Sequence, residues 1–500
     1  MSTIKKFAGQ TAIYGVSTVF SRVLNFFLTK LYVGVYPAKV YGIFTKMYSY
    51  ASLLNAVIAF GMETTFFRYL NKFEEKKEKV YSNTFLIILA TSVVFLTFTT
   101  LFLDDIAAWL QEGKTANIQD YTLFIKYFIY ILVVDALAVI PFAKVRANGR
   151  PVRFGLIKTI NILTFIGLNL FFILLIPAII KHNWAGASFL TTWYRPGWVG
   201  YVFISNLAAS IITLILLLPE LFLLKWDFDW ILTKDMLLYS APVLIANISF
   251  IINENVDKIF LGKLLPANIS DQQVGIYGAC AKLAIFLSIF VQAFRLGAEP
   301  FFFSYAKNKN SGNVYAQIMS YFVIAVSLIF VGLVANIEIL KHFIGSSDPV
   351  QRQIYWSGLR IVPVLLFGYV SLGIYMNLSI WYKLSDQTKY GLYISGIGAI
   401  LTVVLNLIFI PKYSYIASAW ISLIAYATMM VLSYILGQKN YPIPYQLKKN
   451  VAYLVASAVI VYLSFTVFHR SLIIGNLFLI LFTAAALYSE RKELRLLLKK

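Results

Sequence analysis

The segment Gly61-Met62-Glu63-Thr64-Thr65-Phe66-Phe67-Arg68-Tyr69 recurs later in the chain as Gly297-Ala298-Glu299-Pro300-Phe301-Phe302-Phe303-Ser304-Tyr305. The offset is 236 (299 less 63), and without a gap it also aligns Tyr41-Gly42 with Tyr277-Gly278, Lys46 with Lys282 and Arg22 with Lys258. Arg153-Phe154-Gly155-Leu156 and Lys389-Tyr390-Gly391-Leu392 match further on. Over residues 41–70, nine of 30 positions are identical at this offset; composition alone gives about two or three. A repeat of this period spans several helices, so the chain must build two copies of one helical unit.

The medium follows from composition. Hydrophobic residues make up 60% of the chain and charged residues 13%, about half the charged share of a soluble domain. Apolar runs long enough to cross a bilayer recur throughout. Fourteen spans are expected, at about 8–33, 41–69, 81–103, 121–142, 155–179, 198–224, 235–261, 274–304, 314–337, 352–382, 389–411, 414–437, 449–468 and 471–489. The first run is too long for a signal peptide and lacks a small-residue cleavage site after it. The last pair is separated only by His469-Arg470.

The net charge of +21 does not point to nucleic acid, because the basic residues are spread over alternate loops. One set of loops, with both termini, holds roughly 25 Lys and Arg and the other roughly 10, which places the first set in the cytoplasm. An even number of spans agrees with this. The offset contains six spans and so preserves orientation. The expected fold is therefore an all-α integral membrane protein with two parallel six-helix bundles, 1–234 and 235–442. Two extra helices and a basic tail, 443–500, follow, and the tail rests on anionic headgroups. Doubled helical units are the architecture of transporters that rock one half against the other. The single cysteine, Cys280, excludes a disulfide framework, and the three histidines are too scattered for a metal site.

Charges inside spans are costly and mark function. Arg22 in span 1 and Arg295 in span 8 lie deepest, with Lys46 in span 2, Lys282 also in span 8 and Arg360 in span 10. Bases at several depths around an interior cavity attract anions, and Arg binds phosphate or carboxylate oxygens in pairs. Asp135, Glu254 and Asp257 are candidates for coupling a proton or sodium ion, or for neutralising cavity bases. Glu63 and Glu299, near the cytoplasmic ends of spans 2 and 8, are expected to pair with bases as a latch. No Gly-x-x-x-x-Gly-Lys loop occurs, which excludes ATP hydrolysis by this chain. The loops are also too short to carry an external catalytic domain.

These residues resemble a family. Val40-Tyr41-Gly42-Ile43-Phe44, Gly61-Met62-Glu63 before Phe67-Arg68-Tyr69, Asp257-Lys258-Ile259-Phe260-Leu261-Gly262, Val274-Gly275-Ile276-Tyr277 and Ala298-Glu299-Pro300 stand in register. They are similar to polysaccharide flippases of the multidrug/oligosaccharidyl-lipid/polysaccharide exporter superfamily. The resemblance implies a plasma-membrane protein of bacteria that moves undecaprenyl-pyrophosphate-linked oligosaccharide between leaflets for O-antigen, capsule or exopolysaccharide synthesis. It implies no enzymatic activity and no cofactor, and as partners the lipid-linked substrate, the bilayer, a polysaccharide polymerase and other assembly proteins. A peptidoglycan lipid-precursor flippase and a cation-coupled multidrug antiporter are the related alternatives. The second should carry acidic cavity residues rather than basic ones. A membrane glycosyltransferase, polymerase or ligase on the same lipid would need a catalytic carboxylate on a substantial outer loop.

Overall fold

A computed structural model describes residues 23–24, 26–111, 115–306, 308, 310–385 and 387–491. Among these residues every regular element is a helix. Ten helices among the described residues are long and apolar enough to cross a bilayer, and the chain is a multi-pass membrane protein.

One of the ten, Lys389–Asn440, is two spans. At Ser414 the backbone is non-helical, with φ 54 and ψ −142. Ser418 Oγ donates to Asn406 Oδ1 at 3.1 Å, twelve residues back, where a straight helix would hold the two about 18 Å apart. The chain therefore doubles back at Ser414, and spans 11 and 12 lie side by side. The interrupted helix Ala38–Ala59 and Met62–Lys72 forms span 2. The shorter apolar helices Phe26–Val35 and Gly200–Leu216 belong to spans 1 and 6. With these the helices follow the expected order of fourteen. At the last hairpin, His469 and Arg470 both take left-handed φ values, 46 and 64, which reverse the chain in two residues.

Helix starts are set by local chemistry. Asn117 accepts from Asp120 N, Asp229 from Leu232 N, and Asp348 from Val350 N with Pro349 in the first turn. Each satisfies an amide that no helical carbonyl can reach. Asp229 also meets Lys79, and the backbone amide of Leu232, then Lys79, holds its carboxyl below the usual range.

Contacts divide the chain into two compact units, Met1–Gly278 and Ala279–Lys500. In the first, Met62, Phe66, Tyr81, Ile88, Leu132, Ile140 and Met236 form a buried core shared by spans 2, 3, 4 and the start of span 7. The loop after span 5 carries a short helix, Ala187–Trp193. It is fastened by Arg195, whose two terminal nitrogens donate to the two oxygens of Asp120 at 2.7 and 2.9 Å, with Trp198 Nε1 adding a third bond at 3.0 Å.

In the second unit, span 10 packs along spans 11 and 12, while spans 13 and 14 pack on span 9. A Cβ on Gly475 would lie 3.0 Å from Ala335 Cα, so glycine permits the close approach of spans 14 and 9. Beside it the amides of Asn336 and Asn476 bond to each other at 3.1 and 3.2 Å. The two helices outside the repeat are thus fixed by small-residue packing and paired amides.

Candidate functional site

Glu299 sits on the helix Ser270–Tyr305, and its carboxylate accepts from Lys383 Nζ at 2.7 Å. Arg295, one turn earlier on the same helix, is exposed and has no carboxylate within ion-pair distance among the described residues. Arg295, Glu299, Lys383 and Asn377 line one cavity with Phe294, Phe302 and Met376. Its volume of about 20 Å³ holds about one water. The Nδ2 of Asn377 is buried there with no hydrogen-bond partner. Two bases and one carboxylate leave a net positive charge, and the open donor of Asn377 adds to it. The lining therefore favours negative charge, while the space as it stands admits nothing larger than about one water.

The first unit carries the matching arrangement. Phe60 and Gly61 are both left-handed, with φ 48 and 66, and break span 2 into two helices. Gly61 reaches this region at little steric cost. Glu63 then falls in the first turn of the second helix, where a carboxylate meets the positive end of the helix dipole. It pairs with Arg146, also seated over the ring of Phe67. A cavity of about 340 Å³ beside it is lined by Ser52, Asn55, Ala59, Met62, Glu63, Thr64 and Asn247. At the repeat offset Asn55, Ala59, Met62 and Glu63 correspond to Val291, Arg295, Ala298 and Glu299, and all eight line the two cavities. The ion-pair partners keep nearly the same register, 83 and 84 residues after their glutamates. The two cavities differ in charge: the repeat position of Arg295 is Ala59 in the first copy.

Lys46 is fully buried and bonds Asp271 Oδ1 at 3.1 Å and the Leu110 carbonyl at 3.3 Å. Thr115 Oγ1 donates to the other Asp271 oxygen at 2.8 Å. In this structure the ammonium is thus consumed by an internal partner rather than presented to a headgroup. The pair lies at a close helix crossing. A Cβ on Gly42 would stand 1.8 Å from the Asp271 carbonyl oxygen, and one on Gly275 1.9 Å from that of Ala38. Only glycine lets the starts of spans 2 and 8 meet backbone to backbone.

Asp257 is likewise neutralised. Lys258 Nζ lies 2.9 Å from its Oδ1, and the hydroxyl of Tyr277 donates to its Oδ2. Glu254 lies one turn earlier, and its backbone carbonyl accepts from Lys258 at 2.6 Å. Asp135 accepts from Ser210 and faces Lys158. Lys282 is half-buried in the second unit. Arg360 is exposed in a separate groove of that unit, bonded to the Tyr415 hydroxyl at 3.3 Å. Arg22 lies outside the described residues. Among the described residues no cluster of metal-ligating side chains occurs.

Sequence reasoning did not single out Arg146, Lys383, Asp271, Asn377 or Tyr277 as site residues. Arg146 and Lys383 carried a signal, since they are bases at almost the repeat offset. Asp271 and Asn377 carried none, because only the folded chain brings them to Lys46 and Glu299.

The fold is that of an all-α, multi-pass membrane protein. Residues 242–408 match the MatE family. A structure titled lipid II flippase MurJ, inward closed conformation, superposes with a TM-score of 0.72 at 15% identity, covering 96% of this chain and 99% of that one. An inward-facing multidrug resistance MATE family transporter of the MOP superfamily superposes at 0.62 and 12% identity, covering 84% and 94%. A mutant of the Vibrio cholerae MATE transporter VcmN gives 0.58 and 12%, covering 87% and 96%. At these identities the likeness is one of fold. By sequence the chain matches no curated protein.

Proposed function

We propose that this protein is a flippase for undecaprenyl-pyrophosphate-linked oligosaccharide in the bacterial plasma membrane, serving surface polysaccharide synthesis, with both termini cytoplasmic. The observation that carries the reading is Arg295, an exposed guanidinium without an acidic partner, grouped with Lys383 and Asn377 on one cavity. An unneutralised charge at membrane depth needs water or an anion. A pyrophosphate supplies oxygens in pairs for the guanidinium. In the proposed cycle the two repeats alternate access, and the latches Glu63–Arg146 and Glu299–Lys383 form and release at matching places. Asp135, Glu254 and Asp257 are the candidates for a coupling proton or sodium ion.

A second reading, a peptidoglycan lipid-precursor flippase, is favoured by the extent of the superposition on lipid II flippase MurJ. Both readings need an anionic headgroup site, so both use Arg295. A multidrug antiporter, the reading suggested by the MATE likenesses, does not.

The test is complementation of a strain that lacks a flippase and makes the matching glycan, with membrane levels of each variant checked. Arg295→Ala should abolish surface polysaccharide, and Arg295→Lys should retain part of it. Wild-type surface polysaccharide from Arg295→Ala would overturn the cationic-site reading. Rescue of a strain lacking its peptidoglycan precursor flippase, without rescue of the glycan strain, would select the second reading.

A further inference from the structure

A groove of about 960 Å³ runs between spans 9, 10, 12 and 13 of the second unit. Its volume is near the top of the range of about 300–1,000 Å³ usual for small-molecule sites. Its walls include Phe330, Phe367, Trp420, Leu423, Val461 and Phe465, and its rim carries Arg360, His469 and Arg470. The lining thus combines Arg360, His469 and Arg470 with a mostly apolar wall.

The rim has a surplus of positive charge. Arg470 Nε lies 3.2 Å from Glu338 Oε1, but Glu338 also binds Lys341, so one carboxylate serves two bases. Arg360 meets Tyr415, through the neutral hydroxyl at 3.3 Å and the ring at 5.6 Å, and no carboxylate lies within its ion-pair distance among the described residues. A guanidinium at the mouth of an apolar groove between membrane spans is unstable against hydrocarbon alone. The occupant that satisfies both parts carries an anionic head and aliphatic chains.

We propose that this groove is a binding site for an anionic phospholipid, with the phosphate held by Arg360 and an acyl chain laid along Phe367, Leu423 and Val461. The site is separate from the Arg295 cavity and does not rest on the flippase reading. Arg360, foreseen as part of a substrate cavity, becomes here the headgroup contact of a bilayer lipid.

The experiment is native mass spectrometry of the purified full-length protein in detergent, titrated with dioleoyl-phosphatidylglycerol, dioleoyl-phosphatidylcholine or inorganic phosphate. Phosphatidylglycerol should give a saturable one-to-one adduct that phosphatidylcholine does not match. Arg360→Gln, at an exposed position, should weaken it about tenfold, as expected for loss of a charge-assisted bond. Arg360→Lys should recover part of the affinity. Lys234→Gln, a substitution of an exposed base in the first unit, should leave it unchanged. Equal affinity of Arg360→Gln and wild type would overturn the proposal. So would equal binding of the two lipids, an equal loss in Lys234→Gln, or tight binding of phosphate without lipid.

Discussion

Lys46 illustrates how one residue's role depends on a partner that the sequence places far away. Read along span 2, it is a lone ammonium in an apolar helix and a candidate for the substrate. Folded, it is buried against Asp271, 225 positions later. Asp271 lies just before the apolar run of span 8 and reads as a loop residue, so no local pattern announced the pair. Burying two opposite charges costs desolvation that their attraction roughly offsets, while removing one partner strands the other. Lys46→Met or Asp271→Asn should therefore each lower the unfolding free energy by about 3–5 kcal/mol. The double variant Lys46→Met with Asp271→Leu should regain most of it. Thermal unfolding in detergent, with surface expression compared, checks this; additive losses in the double variant would refute the isolated pair. The glutamates behave differently. Each was legible as a charge needing a base, and each has one, Arg146 and Lys383, which stand at nearly the repeat offset from each other.

At the scale of elements, the spans were legible because bilayer crossing demands long apolar runs, and such runs are counted directly from the sequence. Their interruptions were harder to place. The break at Phe60-Gly61 occurs inside an apolar stretch, and the second copy of the same motif runs through the continuous helix Ser270–Tyr305. Related but not identical wording, Phe60-Gly61-Met62-Glu63-Thr64 against Leu296-Gly297-Ala298-Glu299-Pro300, thus accompanies two different backbones. The turn at Ser414 follows Pro411 within a run of polar and aromatic residues, Lys412-Tyr413-Ser414, a break that the sequence does mark. In a Cys280→Ala background, Asn406→Cys with Ser418→Cys should be joined by a short bifunctional maleimide, because these residues touch only if spans 11 and 12 fold back on each other. Labelling of both single variants without crosslinking of the pair would contradict the hairpin. The grooves and cavities had no linear signal: the walls of the 960 Å³ groove come from four spans.

For the whole molecule, the doubled sequence predicts two parallel bundles and the alternation of basic loops predicts cytoplasmic termini. A cysteine at Ser188, on the exposed loop after span 5, should react with an impermeant reagent in intact cells, and one at Lys77 should react only after permeabilisation. The reverse pattern would invert the protein. Of the substrate's chemistry the sequence offers only a sign of charge, and on the proposed reading Arg295 meets an anion. The central claim is that this protein moves a lipid-linked anion between leaflets. Its most direct measurement is made in proteoliposomes holding purified protein and a fluorescent undecaprenyl-pyrophosphate oligosaccharide confined at the start to the inner leaflet. Appearance of the sugar at the outer surface is read by an impermeant lectin. The account predicts exposure that requires the protein, is lost in Arg295→Ala and is partly kept in Arg295→Lys. Exposure at the rate of protein-free vesicles, or an unchanged rate in Arg295→Ala, would contradict it.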